Sequence, residues 1–396
     1  MTELTLAHGL GLTDLYQAEG LARIDSLFCA HLAAGGADLA ARLMAARANP
    51  GTLDAKGESE LLIALAPQLE DFIAGLFNIR AAVQALAARH HDLAPLYACK
   101  RLFVQRRAQR AHKPEEAAAF DPAALEAALV ERFGEPLTEL SFARHVTAWL
   151  DAEAANAEAI DLAVRYAAWA LLTEAGHAEH GRGILFKAPH KIDPQHLLPT
   201  ETIERHGVAM IELPESHLRR REGFKLTDAG HDLVGGLDHA HYCIFCHNQG
   251  KDSAPRGLKE KDGSFKKTVF GVTLAGCPLE EKISEMHSLK TEGVPVGALA
   301  VVVVDNPLAA LTGHRICNDC MKACIYQKQE PVDIPQAETR IAEGRARPAL
   351  GLRDLWPADA LEPAQPAQSR RQAGRADARC WWPASGPPAS RSRTIC

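Results

Sequence analysis

Apolar positions in residues 1–180 recur at steps of three and four, the period of one face of an α-helix. One such stripe consists of Leu62, Ile63, Leu65, Leu69, Phe72, Leu76 and Ile79. Asp121-Pro122 resembles a helix start, a capping carboxylate followed by proline, and Gly134 is suited to end that helix. The pattern predicts an all-helical domain over residues 1–180, which we interpret as a scaffold or interaction module without chemistry of its own.

The helical pattern breaks at Gly176, and glycines and prolines punctuate the stretch that follows. Residues 181–238 are therefore predicted to form an extended connector. Residues 239–345 predict short helices between loops. Cys277-Pro278 would place proline in the first turn of one helix, whose apolar face is Ile283, Met286 and Leu289. The predicted fold class is mainly α.

Composition changes this picture at the C-terminal end. Residues 346–396 are dense in Pro, Ala, Arg and Ser and have no periodic apolar face, which predicts a disordered tail. Elsewhere the chain, with 47% hydrophobic residues among 396, predicts folded domains. A net charge of −6 without a basic domain argues against a nucleic-acid partner, and no apolar run is long enough to span a membrane. The first residues lack the features of a signal peptide, so we expect a cytoplasmic protein.

Six of the ten cysteines fall within residues 239–338. Their spacing is Cys243-Ile-Phe-Cys246, Cys277-Pro278 and Cys317-Asn-Asp-Cys320-Met-Lys-Ala-Cys324. Closely paired thiols let one turn direct two sulfurs at a common centre, so metal binding is the first hypothesis. Iron–sulfur ligation uses such spacings and a Cys-Pro step. Two alternatives stay open: one zinc site closed by the two Cys-x-x-Cys pairs, and buried or redox-active thiols.

The same region resembles a known family. Gly276-Cys-Pro-Leu-Glu-Glu-Lys-Ile283, Asp305-Asn-Pro-Leu and Thr312-Gly-His-Arg-Ile-Cys317 resemble the twin-[4Fe-4S] domain of the glutamate synthase small subunit and dihydropyrimidine dehydrogenase. The blocks beginning at Cys243 and Cys317 are similar to the amino-terminal part of large bacterial FAD-dependent pyridine-nucleotide oxidoreductases. The resemblance implies an N-terminal helical domain followed by an α-helical ferredoxin-like iron–sulfur domain. It also implies a helix at Val301–Val304, where β-branched residues alone favour a strand.

By resemblance, two [4Fe-4S] clusters would be held by this region. The first would use Cys243, Cys246 and Cys324. The second would use Cys277, Cys317, Cys320 and Glu338. The family pattern has one more cysteine where this chain has Ala254, and Ser253 or His247 is expected to substitute, or the first cluster is a labile three-thiolate site.

The predicted function is electron transfer, as the iron–sulfur module of an FAD- and NAD(P)H-linked oxidoreductase that is truncated before its flavin domain. Expected partners are a flavin-binding domain or subunit and an electron acceptor or amidotransferase-like protein. The codons of residues 346–396 are compatible with family-like strings in shifted reading frames, including a glycine-rich dinucleotide-binding turn, so the tail is interpreted as frame-shifted. By itself the chain is not expected to turn over a substrate. The alternative function is a zinc-stabilised interaction module.

A basic patch lies outside the cysteine region. It consists of Lys100, Arg101, Arg106, Arg107 and Arg110, interleaved with apolar residues. A solvated helix face is the simpler interpretation, because surface charge runs usually have no specific role. A site for phosphate or for an acidic partner is the alternative.

Overall fold

The computed structural model describes residues 6–218, 221–224, 230–309, 313 and 316–343. The predicted disordered, frame-shifted tail at 346–396 lies outside these residues. All described residues belong to one compact unit by their contacts.

Helices account for almost all regular structure before residue 181. The α-helices there are α1 (Ala18–Gly35), α2 (Ala37–Ala48), α3 (Ala55–Leu76), α4 (Arg80–Cys99), α5 (Gln109–Ala111), α6 (Pro114–Ala118), α7 (Pro122–Phe133), α8 (Glu139–Asp151), α9 (Ala157–Leu172) and α10 (Glu174–His180). A π-helix, Lys100–Ala108, joins α4 to α5. Short 3-10 turns span Ala7–Gly9, Leu12–Tyr16, Pro50–Thr52 and Glu153–Ala155.

The second half combines one hairpin with shorter helices. Strands β1 (Glu201–Arg205) and β2 (Val208–Glu212) pair antiparallel, with Ile203 opposite Met210. The α-helices are α11 (Leu233–Tyr242), α12 (Ser253–Arg256), α13 (Ile283–Thr291), α14 (Pro295–Asp305), α15 (Asp319–Ala323) and α16 (Ile334–Glu343). 3-10 turns occur at Glu215–His217 and Cys246–Gln249.

The prediction of a mainly α fold is confirmed. Asp121 caps α7 by accepting from the backbone N–H groups of Ala123 and Ala124, and Gly134 ends the helix with a φ of +69°. Val301–Val304 lies within α14, because its surroundings are helix-packed and override strand propensity. No helix among the described residues has the length and apolarity that crossing a bilayer requires.

Two local predictions need correction. The helix expected from Cys277-Pro278 begins only at Ile283, since Glu280 adopts a φ of +54° and interrupts the chain before it. The connector contains the β1–β2 hairpin, whose turn residues His206 and Gly207 both have positive φ, as a type I′ turn requires. Helix α11 runs across residue 238, so the boundary predicted there falls inside a helix, and the division into domains stays a prediction.

One apolar core lies mostly among the helices before residue 181, and a second core contains several of the cysteines. The larger centres on the fully buried side chains of Phe103, Phe142, Ile160 and Leu185, which pack α8, α9 and the π-helix together. The second core contains Met286, Leu289, Val302 and several cysteines, and Ala66 of α3 belongs to it. The cysteine region is thus packed directly on a helix of the N-terminal region.

Polar contacts reinforce this junction. Glu70 of α3 is buried, and its Oε2 accepts from the backbone N–H groups of Val296 at 2.6 Å and Gly297 at 3.0 Å, at the start of α14. Ser59 of α3 donates to buried Glu285 of α13. A carboxylate at a helix N-terminus satisfies amides that have no partner within the helix and complements the helix dipole.

Candidate metal centre

The first cysteine group surrounds a small cavity. Cys243 follows the end of α11, Cys246 begins a 3-10 turn, and Cys324 follows the end of α15. All three line one cavity of about 20 Å³. Between the first two, Phe245 has a φ of +52°, an unusual conformation for a non-glycine residue, which folds the Cys-x-x-Cys turn tightly. The thiols that the resemblance assigns to one cluster therefore share one site.

The position of the missing fourth thiol faces the same cavity. Ala254 is buried and lines it, together with Ser253. The Ser253 hydroxyl is buried and has no hydrogen-bond partner among the described residues. His247 does not line the cavity, and its Nδ1 lies 2.7 Å from the Ser284 hydroxyl. Of the two expected substitutes, the structure places Ser253 at the site and His247 away from it.

Sequence reasoning missed a histidine at this cavity. His287 of α13 is fully buried, and neither ring nitrogen has a partner within the described part of the chain. It lines the cavity beside the three cysteines. Burial lowers its pKa to about 3, so the ring is neutral and at least one nitrogen carries a lone pair. In the sequence, His287 is one of several polar residues in a short helix, which gives no sign that it lines this cavity.

The second group combines two thiols with two carboxyl groups. Cys277 lies close enough to Cys320 to raise the pKa of the Cys320 thiol. Both thiols are near the carboxyl groups of Glu281 and Glu338. Burial, and then the Glu281 charge, raises the pKa of Glu338 to about 8, and Asn306 donates to its Oε1 at 2.8 Å. Glu281 is a further residue that spacing did not indicate.

Cys317 is the exception among the predicted ligands. It is exposed, and no described contact brings its sulfur to Cys277 or Cys320. Residues 310–312, 314 and 315, which precede it, are outside the described part of the chain. The structure therefore brings together three of the four ligands expected at the second cluster, namely Cys277, Cys320 and Glu338.

Burial holds the inward-facing thiols in the protonated form. It raises the pKa of Cys243 to about 12 and that of Cys246 to about 11. The pKa values of Cys277, Cys320 and Cys324 are raised for the same reason. Such thiols are poor nucleophiles, which argues against thiol–disulfide chemistry. A bound cation would reverse this preference, because it stabilises thiolate directly.

Backbone amides point at these sulfurs. Phe245 donates its N–H to Cys243 at 3.5 Å, and Asp319 donates to Cys317 at 3.4 Å. Backbone N–H groups near the other four sulfurs act to lower the thiol pKa against the effect of burial, at Cys246, Cys277, Cys320 and Cys324. Amide donors stabilise negative charge on sulfur, and in iron–sulfur proteins they help to set the potential. The donor set and its surroundings fit a thiolate-bound metal group.

The spacing of the sulfurs is too wide for one preformed zinc site. Four thiolates around zinc lie about 3.8 Å apart, given a Zn–S bond of about 2.3 Å. Among the described residues, no three cysteine sulfurs lie within 4.8 Å of one another. Cys317 and Cys320 do not line the cavity of Cys243 and Cys246. The cavity has room for about one water, so a cluster requires its walls to move outward.

The described residues do contain one compact group of ligand-type atoms, His231, His239 and Asp333. The Asp333 backbone N–H donates to His239 Nδ1 at 3.1 Å, so the neutral ring carries its proton on Nε2. That nitrogen lies 3.1 Å from His231 Nε2, and the two form a hydrogen bond. This pairing uses the lone pairs that a metal would need, and the group is better described as a hydrogen-bonded histidine pair.

Comparisons with known proteins give relatives for much of the chain. The model of the family described as RP005 N-terminal alpha-helical domain matches residues 6–78, which include α1 to α3. The chain is 28% identical over 289 residues to Uncharacterized protein RP005 of Rickettsia prowazekii (strain Madrid E), covering 69% of this chain and 94% of that protein. It is 60% identical over 45 residues to Uncharacterized protein RP006 of the same organism, covering 11% of this chain and 6% of that protein. No solved structure matches.

Proposed function

We propose that residues 239–345 form an electron-transfer module that binds one or two [4Fe-4S] clusters. One observation carries the proposal. Cysteines that are distant in sequence converge in two separate groups, Cys243, Cys246 and Cys324 in one and Cys277 with Cys320 in the other. This is the division that the resemblance to the twin-cluster domain implies. A single zinc site predicts one group of four instead.

When bound, such a cluster accepts and donates single electrons. The residues of this chain would hold it through thiolate sulfur and set its potential through amide hydrogen bonds and burial. At the second site Glu338 would stand in for a fourth thiol, and its raised pKa means that a nearby cation is needed to keep it ionised. We propose that Ser253 or His287 completes the first site, because both present unsatisfied polar atoms to the cavity.

The module is proposed to act within a larger system, on the strength of the family resemblance. FAD and NAD(P) would be bound by a flavin-binding domain or subunit, and electrons would pass to an acceptor or amidotransferase-like partner. A cytoplasmic location follows from the same proposal, since these clusters are oxygen-sensitive.

The test is anaerobic reconstitution followed by iron, acid-labile sulfide and zinc analysis. The proposal expects iron and sulfide in nearly equal amounts, brown colour, and broad thiolate-to-iron absorbance. Stoichiometric zinc without sulfide would contradict it and favour the zinc-stabilised interaction module. On exposure to air, the site of Cys243, Cys246 and Cys324 is expected to lose iron first, because it lacks a thiol at Ala254.

A further inference from the structure

A large cleft lies beside the basic patch of the sequence. It has a volume of about 750 Å³, within the range of small-molecule sites. Its lining includes residues of the π-helix and of α5, together with Tyr326 and the segment Gln329–Pro331. None of the six cysteines lines it.

The π-helix explains why so many cations face one side. Its hydrogen bonds join residues five apart, so side chains with that spacing come onto nearly the same face. Arg101 and Arg106 are five apart, Arg110 follows four later, and all three line the cleft. Arg107 belongs to the same helix but does not line it. Helical turns of this kind occur often at functional sites.

The charges at the cleft do not cancel locally. Of its three carboxylates, Asp238 faces the Lys100 ammonium at 2.7 Å, and the other two face histidines, Glu330 at 3.1 Å from His190 and Asp333 at 3.8 Å from His231. The remaining cations are Arg101, Arg106, Arg110 and Lys187, which are exposed and have no ion pair within the described residues. A row of guanidinium groups without carboxylate partners matches a ligand with several anionic oxygens.

An aromatic surface stands beside these cations. Tyr242 and Tyr326 stack with ring centroids 4.7 Å apart and planes at 13°, and both line the cleft. Tyr242 is fixed by two hydrogen bonds, to the Glu330 carbonyl at 3.1 Å and from Gln329 Nε2 at 2.7 Å. The Arg101 guanidinium is close enough to Tyr326 to lower the pKa of its hydroxyl, against the larger effect of burial, which raises it. The bases of nucleotides stack on aromatic side chains such as these, and every base can do so because each has a planar ring face.

We propose that this cleft binds a nucleoside polyphosphate. Its phosphate oxygens lie against Arg101, Arg106 and Arg110, and its base lies against the Tyr242–Tyr326 pair. None of the six cysteines lines the cleft, and Tyr326 lines both the cleft and the cavity of Cys243, Cys246 and Cys324.

The test is calorimetric titration of the intact chain with ATP, pyrophosphate and adenosine at low salt. ATP should bind at least tenfold more tightly than pyrophosphate, and adenosine more weakly than either. Arg106→Ala and Arg110→Ala should each weaken ATP binding about tenfold, or about 1.4 kcal/mol. The matched control is Arg107→Ala, which removes the same charge from the same helix outside the cleft and should leave affinity within about twofold.

Three outcomes would overturn the proposal. No detectable ATP binding by the folded protein contradicts it outright. Equal loss in the Arg106 and Arg107 variants shows only a general charge effect, against a built site. Equal affinity for ATP and pyrophosphate contradicts the stacked base. Since Arg106 and Arg110 are exposed, their replacement should leave the circular dichroism spectrum unchanged.

Discussion

Glu70 offers a direct test of how the N-terminal helices support the cysteine region. Its carboxylate accepts from two amides in the first turn of α14, Val296 and Gly297, and no side chain of α14's own N-cap does so. We expect Glu70→Ala to destabilise the whole described unit, because α3 and α14 share one core through Ala66.

The magnitude follows from the bonds that are lost. A hydrogen bond to a charged group contributes about 1.5–3 kcal/mol, and helix caps removed by alanine cost about 0.5–2 kcal/mol. The two bonds share one oxygen, so they do not add in full. We expect Glu70→Ala to lower the free energy of unfolding by about 2–4 kcal/mol. Glu70→Gln keeps an acceptor oxygen and should cost about half as much.

The assay is urea unfolding followed by circular dichroism under reducing, anaerobic conditions. The control is Glu60→Ala on the same helix, whose carboxylate is exposed and faces Lys56 at 3.7 Å. Exposed pairs of this kind contribute under about 0.5 kcal/mol. If Glu70→Ala and Glu60→Ala unfold at the same urea concentration, α3 does not cap α14 and the proposed junction is wrong.

Other changes probe the site, the pH response and the cleft wall. Ala254→Cys should raise iron per chain after anaerobic reconstitution, and two full clusters without the change would contradict the missing-ligand argument. Burial lowers the pKa of His90 from 6.5 to about 4, so the unfolded chain binds the extra proton between these values. The free energy of unfolding should therefore fall by up to about 3 kcal/mol as the pH drops from 6.5 to about 4. In the His90→Leu variant, the free energy of unfolding should fall less over the same pH range. Lys100→Met leaves the Asp238 carboxylate, 19% exposed, without its cation, and should cost about 1–3 kcal/mol in urea unfolding. Arg107→Ala, which breaks an exposed pair, should cost under about 1 kcal/mol.

Much of the helical architecture could be predicted from the sequence because its signals are local. Caps such as Asp121 and Gly134 act within one turn, and apolar spacing at residues 62–76 marks a helix directly. The β1–β2 hairpin also has a local signal in His206-Gly207, although the prolines of the connector favour an irregular segment.

The arrangement of the site is harder to predict from the sequence. His287 and Glu281 acquire their significance only when α13 packs against the cysteine turns, a contact between segments far apart in sequence. Nothing in the periodicity of a single helix distinguishes a ligand-facing histidine from a buried one. That Arg101 and Arg106 have no carboxylate partner among the described residues likewise depends on where the carboxylates lie in three dimensions.

The π-helix at Lys100–Ala108 makes the cleft sensitive to register. In a regular α-helix each residue adds about 100° of rotation. Deleting one exposed residue within it, such as Leu102, would allow ordinary hydrogen bonding but turn every later side chain by about that angle. Arg106 and Arg110 would then take the places of Gln105 and Gln109, which also line the cleft, and Arg107 would take the place of Arg106. The charge of this surface thus depends on the length of one helix as much as on its composition, and a single-codon deletion would add an arginine to it.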